Sequence, residues 1–141
     1  EAKVGRTKDG ATDMIYKPEH VTDLESGAIV AVEVRPGDAA DNDKTLAQRV
    51  FCAVGTLAEV VGETETLEHV GETIVADEGH FALQPIAELQ QSGVRTVIAD
   101  PHAGRRRRDL AAEEKATLRR ATRSTTSASG KALLRLRGEH L

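Results

Sequence analysis

Aromatic side chains are scarce in this sequence, which has no tryptophan and only Tyr16, Phe51 and Phe81. Binding of single-stranded nucleic acid by base stacking needs several exposed rings, so the scarcity excludes that mode of recognition. Any nucleic-acid contact must therefore be mainly ionic. The core must be aliphatic, and Leu, Ile, Val and Phe supply 32 of the 141 residues. That share, about 23%, lies above the roughly 20% level below which disorder is the default.

Cysteine and long apolar runs are also lacking. Cys52 is the only cysteine, which excludes an intramolecular disulfide and a multi-cysteine zinc site. No apolar run approaches the roughly 18 residues that a membrane-spanning helix needs. The sequence therefore predicts a cytoplasmic protein without a membrane partner. Because it opens with Glu1 rather than methionine, we expect it to be a piece of a longer chain.

Charge is divided unevenly along the chain. The net charge is −4, but residues 1–100 carry 8 basic and 19 acidic side chains, a net of −11, whereas residues 101–141 carry 11 basic and 4 acidic, a net of +7. Such asymmetry suggests a polyanionic partner for the basic part. We accordingly divide the chain into a core over residues 1–100 and a basic segment over residues 101–141, which consists of a loop and helix.

The first part of the chain predicts a hairpin and a helix. Two extended runs, Met14 to His20 and Ala28 to Val34, flank a polar segment and are typical of a β-hairpin. Pro18 within the first run predicts an edge strand or a bulge. Apolar residues at helical spacing then predict a helix over residues 43–61, followed by a polar connection over residues 63–72.

The middle of the chain predicts a strand, a helix and a second strand. Residues 73–77 and 94–99 are β-rich runs, and the stripe between them predicts a helix that ends near Ser92-Gly93. This order is a βαβ unit with parallel strands. Together with the hairpin and the first helix, this unit predicts a mixed-sheet α/β core. Residues 109–123 and 131–141 are helix-compatible, and the Ser/Thr-rich residues 124–130 predict a break between them.

Two carboxylates follow predicted strands. Ligands gather at the carboxyl ends of strands in open α/β sheets, and Asp77 lies at such an end, where a carboxylate could hold a divalent metal. Spacing alone favours the alternative that Asp77 caps the helix that starts near Phe81. Asp100 precedes a proline and is better explained as a turn residue. The acids between Asp38 and Asp43 lack the pattern of a calcium loop and favour helix capping.

Histidine and cysteine show no catalytic pattern. No two histidines have the His-x-x-x-His spacing of a zinc enzyme, so a surface position is favoured for each of His20, His69, His80, His102 and His140. Cys52 lies within the predicted first helix, and a buried inert thiol is favoured over a nucleophile.

The basic segment has the composition of a phosphate-binding surface. Its charges would neutralise phosphates without reading base sequence, and arginine outnumbers lysine nine to two, which suits bidentate phosphate contact. A solvated, partly disordered tail is an equally good interpretation of composition alone. The candidate DNA-binding residues are Arg105, Arg106, Arg107, Arg108, Arg119, Arg120, Arg123, Lys131, Arg135 and Arg137, with Lys115 beside them.

Several motifs, in order along nearly the whole chain, resemble bacterial insertion-sequence transposases of the DDE class. They are Arg6-Thr7-Lys8-Asp9-Gly10, Tyr16-Lys17-Pro18-Glu19-His20, Val21-Thr22-Asp23-Leu24-Glu25-Ser26-Gly27, Val75-Ala76-Asp77-Glu78-Gly79-His80 and Gly130-Lys131-Ala132-Leu133-Leu134-Arg135-Leu136-Arg137-Gly138-Glu139. The resemblance implies a ribonuclease-H-like fold, with hairpin, helix, strand, helix and strand followed by a basic, mostly helical C-terminal segment. It also implies a catalytic domain that is present here only in part.

The resemblance further implies a metal-dependent reaction on DNA. In such enzymes three acids hold two Mg²⁺ or Mn²⁺ ions, which act on both the attacking and the leaving oxygen of a phosphodiester. Asp77 matches the second acid and is thereby a metal ligand. The first acid would precede the segment with which this chain opens. The last Glu would fall just past Leu141, and Glu139 is the late Glu that this sequence offers.

We therefore expect a fragment of a transposase that cleaves DNA and transfers strands, with transposon ends and target DNA as partners. The isolated chain is expected to be inactive, since one carboxylate cannot place two metals. The expected location is the bacterial cytoplasm, at the nucleoid when DNA is bound. Whether the full-length protein forms a homodimer is left open. The alternatives are a non-catalytic DNA-binding remnant of a decayed transposase and a small α/β domain with no nucleic-acid role.

Overall fold

The computed structural model describes residues 3–7, 9–39, 46–61, 72–105, 107 and 109–139. It confirms a mixed α/β protein with a helical C-terminal segment. The chain divides into two units, residues 1–41 and residues 42–141. In chain order the elements are β1 Lys3–Arg6, β2 Thr12–Thr22, β3 Ile29–Pro36, α1 Leu46–Val61, β4 Thr73–Ala76, α2 Leu83–Gln91, β5 Arg95–Ile98, α3 Ala112–Thr126 and α4 Ala128–Glu139.

The first unit is a three-stranded antiparallel sheet in the order β1-β2-β3. The predicted hairpin is confirmed as β2 and β3, where Lys17 lies opposite Arg35. Strand β1 was not predicted, because four residues that include a glycine are too short to show alternation. It pairs with the beginning of β2, where Val4 lies opposite Met14.

Pro18 lies in the central strand of this sheet, but in a part of that strand that β1 does not reach. Strand β1 runs only along residues 12–15 of β2, so beyond Ile15 one side of β2 has no β1 partner. A proline there removes no β1–β2 hydrogen bond. The register shift occurs instead between Val21 and Thr22. Pro18 thus lies at a local edge of the sheet, as predicted. The irregularity in the β2–β3 pairing lies three residues later.

The second unit contains the predicted βαβ arrangement. Strands β4 and β5 pair in parallel, with Ile74 opposite Thr96 and Val75 opposite Val97, and α2 connects them. A tight turn after α2 places Gly93 at a φ of 81°, which a glycine adopts at no steric cost. The described strands form two separate sheets, whereas a single mixed sheet was expected. Sequence periodicity identifies strands, but it does not determine which strands pair.

The core of the second unit is aliphatic, as the composition requires. Residues from α1, α2, β5 and α3 contribute to it, among them Leu46, Ile86, Leu89, Ile98 and Ala121. The apolar stripe predicted for α1 is confirmed at its beginning. The helix is described from residue 46; residues 43–45, and all but the last residue of the predicted connection over 63–72, lie outside the described residues. No described helix has the length and hydropathy needed to cross a membrane.

Cys52 is exposed, so the prediction of a buried thiol is wrong. Val50 is buried, and a residue two positions later is turned by about 200° around an α-helix. Cys52 therefore faces solvent although it lies within an apolar stretch of sequence.

The predicted break between the two C-terminal helices is confirmed, but it is shorter than expected, because within residues 124–130 only Ser127 is non-helical. The hydroxyls of Thr125 and Thr126 donate to carbonyl oxygens four residues earlier, at 2.9 and 2.8 Å. Such bonds satisfy hydroxyl groups that would otherwise compete with the helical backbone. Polar residues that read as a loop in sequence thus form the last turn of α3 and the first turn of α4.

Gly130 is buried where α4 passes the last turn of α3. A Cβ atom placed on it would overlap the carbonyl oxygen of Ser124 and lie 3.0 Å from that of Thr125. Because both neighbours are backbone atoms, they cannot move aside as a flexible side chain would. The close approach of the two helices therefore requires glycine at this position.

We expect Gly130→Ala to destabilise the protein by about 1–3 kcal/mol, because the added methyl forces the two helices apart. Gly138, also in α4, has open space around its Cα. Gly138→Ala should therefore leave stability unchanged or raise it by about 0.5–1 kcal/mol through helix propensity. Urea unfolding of both variants measures the difference, and equal effects would contradict the close packing of α4 on α3.

Candidate functional site

Asp77 directly follows β4 and begins a 3-10 turn over Glu78–His80. Its Oδ1 atom accepts a hydrogen bond from the backbone N–H of Gly79 at 3.1 Å. The capping interpretation is therefore confirmed for this turn rather than for α2, whose N-cap Ala82 makes no side-chain bond. The location at the carboxyl end of a parallel strand is also as predicted.

The other carboxylate oxygen of Asp77 meets Arg137 from the last turn of α4. The distance from Arg137 Nη2 to Asp77 Oδ2 is 3.1 Å, and the two side chains are 25% and 49% exposed. His80 Nε2 lies 3.9 Å from Oδ1. The sequence predicts a DNA-binding role for Arg137. Its contact with Asp77 could not be predicted, because 60 residues separate the two in sequence.

Glu139 is not brought to Asp77 by α4. It is the exposed last residue of that helix, two positions after Arg137 and so about 200° around the helix from it. The helix presents a cation to Asp77 and directs Glu139 elsewhere. A catalytic role for Glu139 stays a prediction of the resemblance.

The described residues do not fit the two-metal site that the resemblance implies. Among them, no three His, Cys, Asp or Glu side chains lie close enough together to hold a metal ion. Both oxygens of Asp77 already have partners, one an amide N–H and the other a guanidinium. Two ions need several shared carboxylates, and Asp77 alone supplies one.

Asp100 and Arg107 form a second ion pair, after β5. Arg107 Nη2 lies 2.6 Å from Asp100 Oδ1, and the side chains are 23% and 10% exposed. The guanidinium also lies 5.7 Å from the centre of the Phe81 ring, within the range of a cation–π contact. The same Asp100 oxygen accepts the N–H of His102 at 2.9 Å, which confirms its predicted role in a turn. Arg107 therefore has a structural partner that the arginine run in sequence did not reveal.

An open cleft of about 500 Å³ lies at this carboxyl edge of β4 and β5. Its lining combines apolar residues with the polar side chains of Glu78, His102 and Arg107. The position agrees with the rule that ligands of open α/β sheets bind beyond the carboxyl ends of the strands. The cleft is lined by Glu78, Phe81, Leu83, Pro101, His102 and Arg107.

Helix α3 carries a basic face opposite its packed face. Thr117 and Ala121 are buried, and α3 packs on α2 and β5 through this side. Lys115, Arg119 and Arg123 recur every four residues and are exposed, with Arg120 beside them. Within the described part of the chain, none of these four side chains forms an ion pair or hydrogen bond. We call these four residues the α3 basic face.

The remaining candidate DNA-binding residues are dispersed. Lys131 and Arg135 are exposed one turn apart on α4, and Arg105 is exposed in the turn before α3. Arg106 and Arg108 lie outside the described residues. Among the described candidate residues, a shared helix face is seen only on α3 and on α4. Arg107 and Arg137 instead form ion pairs with Asp100 and Asp77.

Comparison with known protein families, with curated proteins and with solved structures finds no match for this chain. The resemblance to transposases therefore stays an expectation from the motifs in the sequence.

The contact between Asp77 and Arg137 is expected to stabilise the protein only weakly, because both groups reach solvent. A double-mutant cycle with Asp77→Asn and Arg137→Gln should give a coupling of about 0.2–1 kcal/mol, reduced at high salt. Arg135→Gln, on the exposed side of α4, is the matched control and should show no coupling to Asp77. Equal coupling of Asp77 to Arg135 and to Arg137 would contradict a specific contact between Asp77 and Arg137.

Proposed function

We propose that this chain is part of the ribonuclease-H-like catalytic domain of a DDE transposase, in which its contribution is to hold DNA through phosphate contacts. The ordered motifs along the chain support the family, and the parallel β4–α2–β5 unit with an acid after its first strand is compatible with it. Under this proposal the partners are transposon ends and target DNA, in the bacterial cytoplasm.

The observation that carries the DNA contact is the α3 basic face. Lys115, Arg119 and Arg123 span two turns of the helix, a length of about 12 Å at 1.5 Å per residue. Phosphates on one strand of B-DNA recur about every 3.4 Å along the axis, so this face can neutralise several of them. Because the opposite side of α3 is packed, the charges are displayed from a fixed element.

Catalysis belongs to the complete protein in this proposal. Metal ions, if bound by that protein, would supply the activation of water or of a 3′-hydroxyl. The residues described here do not complete such a site, and the isolated chain is expected to be inactive. The alternative of a non-catalytic remnant that still binds DNA is favoured by one observation, the pairing of Asp77 with Arg137.

The first test is the salt dependence of duplex DNA binding. Each phosphate contact contributes about 0.9 to the slope of log K against log salt concentration. Arg119→Gln combined with Arg123→Gln should therefore lower the slope by about 2 and weaken binding at low salt. Fluorescence anisotropy with unrelated duplex sequences measures both, and the loss should be similar for each sequence.

The matched control is Lys3→Gln combined with Arg6→Gln, which removes the same charge from exposed positions on β1. Its slope should equal that of the unmodified protein. If both double variants lower the slope of log K against log salt concentration by the same amount, then binding follows total charge and the α3 basic face has no special role.

Strand transfer is the second test. The 141-residue chain with magnesium and a pre-cut duplex end should give no joined product, because one carboxylate cannot position two ions. Product formation that Asp77→Asn abolishes would show that this chain assembles a site that the described residues do not contain.

A further inference from the structure

A small pocket lies at the amino end of β5, at the opposite end of that strand from the cleft described above. The end of α2, the start of β5 and the middle of α3 form it, and its volume is about 220 Å³. Pockets for small-molecule ligands usually measure roughly 300–1,000 Å³, so this one suits a small chemical group. We call it the β5 pocket. Its polar lining residues are Gln90, Arg95, Thr96, Arg120 and Ser124.

Two arginines line the β5 pocket, and none of the described lining residues is an acid. Arg95 is the first residue of β5, and Arg120 lies on α3. Neither of them forms an ion pair with another described residue. Arginine stays charged throughout the pH range in which proteins fold. Because two positive charges at one pocket repel each other, an anion between them would replace repulsion by attraction.

Arg95 is fixed in position but keeps donors for a ligand. Its Nε atom donates to Ser124 Oγ at 2.9 Å, and its Nη2 atom donates to the hydroxyls of Ser127 and Ser129 at 3.1 and 2.8 Å. A guanidinium carries one N–H on Nε and two on each Nη atom. Within the described part of the chain, the Nη1 atom of Arg95 has no acceptor, so its two N–H groups are available to an anion.

Two hydroxyl groups in the lining also have a proton to donate. Thr96 is 1% exposed, and its Oγ1 atom accepts from Gln90 Nε2 at 3.4 Å. Ser124 Oγ accepts from Arg95. Neither hydroxyl donates to any residue that the structure describes, although a buried hydroxyl normally has a partner. The Oε1 atom of Gln90 is buried and offers the pocket no acceptor. The β5 pocket therefore presents positive charge and hydrogen-bond donors.

We propose that the β5 pocket binds a phosphate group that carries two negative charges, either free phosphate or the terminal phosphate of a nucleotide or a DNA end. A phosphomonoester has a charge of about −1.5 to −2 at pH 7 and three strongly accepting oxygens. This matches two guanidinium groups and two hydroxyls. A phosphodiester within a DNA strand carries a single charge and would leave one arginine uncompensated. The chemistry of the pocket does not depend on membership of the transposase family.

Isothermal titration calorimetry of the full chain with inorganic phosphate tests this site. Saturable binding is expected, with a dissociation constant of about 1 mM or below. Arg120→Gln should raise that constant at least about tenfold, because it removes a charged donor. Arg119→Gln is the matched control, since it removes the same charge from the adjacent residue, which does not line the pocket. It should change the constant by less than about twofold.

Arg120 is the better residue to replace, because Arg95 also holds the ends of α3 and α4 together. Arg120 is exposed, so circular dichroism of Arg120→Gln should match that of the unmodified protein. Thr96→Val is a second variant, which keeps the shape of the side chain and removes its hydroxyl. It should raise the dissociation constant for phosphate about three- to tenfold. Urea unfolding of the same variant identifies the concentration range in which it stays folded.

The source of the phosphate is distinguished by further ligands. Adenosine 5′-monophosphate that binds more tightly than inorganic phosphate would assign the pocket to a nucleotide, and equal affinities would assign it to the phosphate group alone. A DNA duplex is compared with and without a 5′-phosphate. A gain in affinity on 5′-phosphorylation that Arg120→Gln removes and Arg119→Gln retains would assign the pocket to a DNA end.

Four results would overturn the proposal. The first is no saturable binding of inorganic phosphate, the monophosphate or the 5′-phosphorylated end. The second is adenosine that binds as tightly as its monophosphate, and the third is dimethyl phosphate, with its single charge, that binds as tightly as inorganic phosphate. The fourth is an equal effect of Arg119→Gln and Arg120→Gln. Loss of duplex binding with phosphate binding retained would instead overturn only the DNA-holding role of the α3 basic face.

Discussion

Arg95 is the side chain that ties the C-terminal helices to the parallel strands. It opens β5, and its guanidinium donates to the hydroxyls of Ser124, Ser127 and Ser129 at 2.9, 3.1 and 2.8 Å. One rigid, always-charged group thus contacts the end of α3, the residue between the helices and the start of α4. The placement of α3 on β5 and the approach of α4 to β4 both follow from this junction. Arg137 reaches Asp77, and Gly130 passes Ser124, only if the two helices meet in this way.

The division of charge along the sequence becomes a spatial arrangement in the structure. Arg107 and Arg137, two of the basic residues after position 100, are neutralised by Asp100 and Asp77 of the acidic part. Those ion pairs lie near the carboxyl edge of the parallel strands. The cations on α3 are displayed away from the core, where a polyanion could reach them. The basic segment is therefore both part of the packed unit and the surface that we propose for DNA.

Local elements of this fold could be predicted from sequence, whereas pairing across long separations could not. The β2–β3 hairpin, α1 and the βαβ unit follow from period and turn residues, and Asp77 at the end of β4 follows from them. The helical run through Ser124 and Thr125 could not be predicted, because its hydroxyls are satisfied by Arg95 and by carbonyl groups that only the fold brings near. The contact between Arg137 and Asp77 could not be predicted for the same reason. Exposure of Cys52, by contrast, could have been found by counting helical angle from Val50.

Protection of individual lysines by bound DNA tests the central claim most directly, because it reads the contact surface without altering the protein. Lys115 lies on the α3 basic face, and Lys131 on the exposed side of α4, while Lys3 is exposed on β1. Acetylation with and without duplex DNA, read by mass spectrometry, should show slower modification of Lys115 and an unchanged rate at Lys3. Equal rates at Lys115 with and without DNA, under conditions where DNA is bound, would contradict the account.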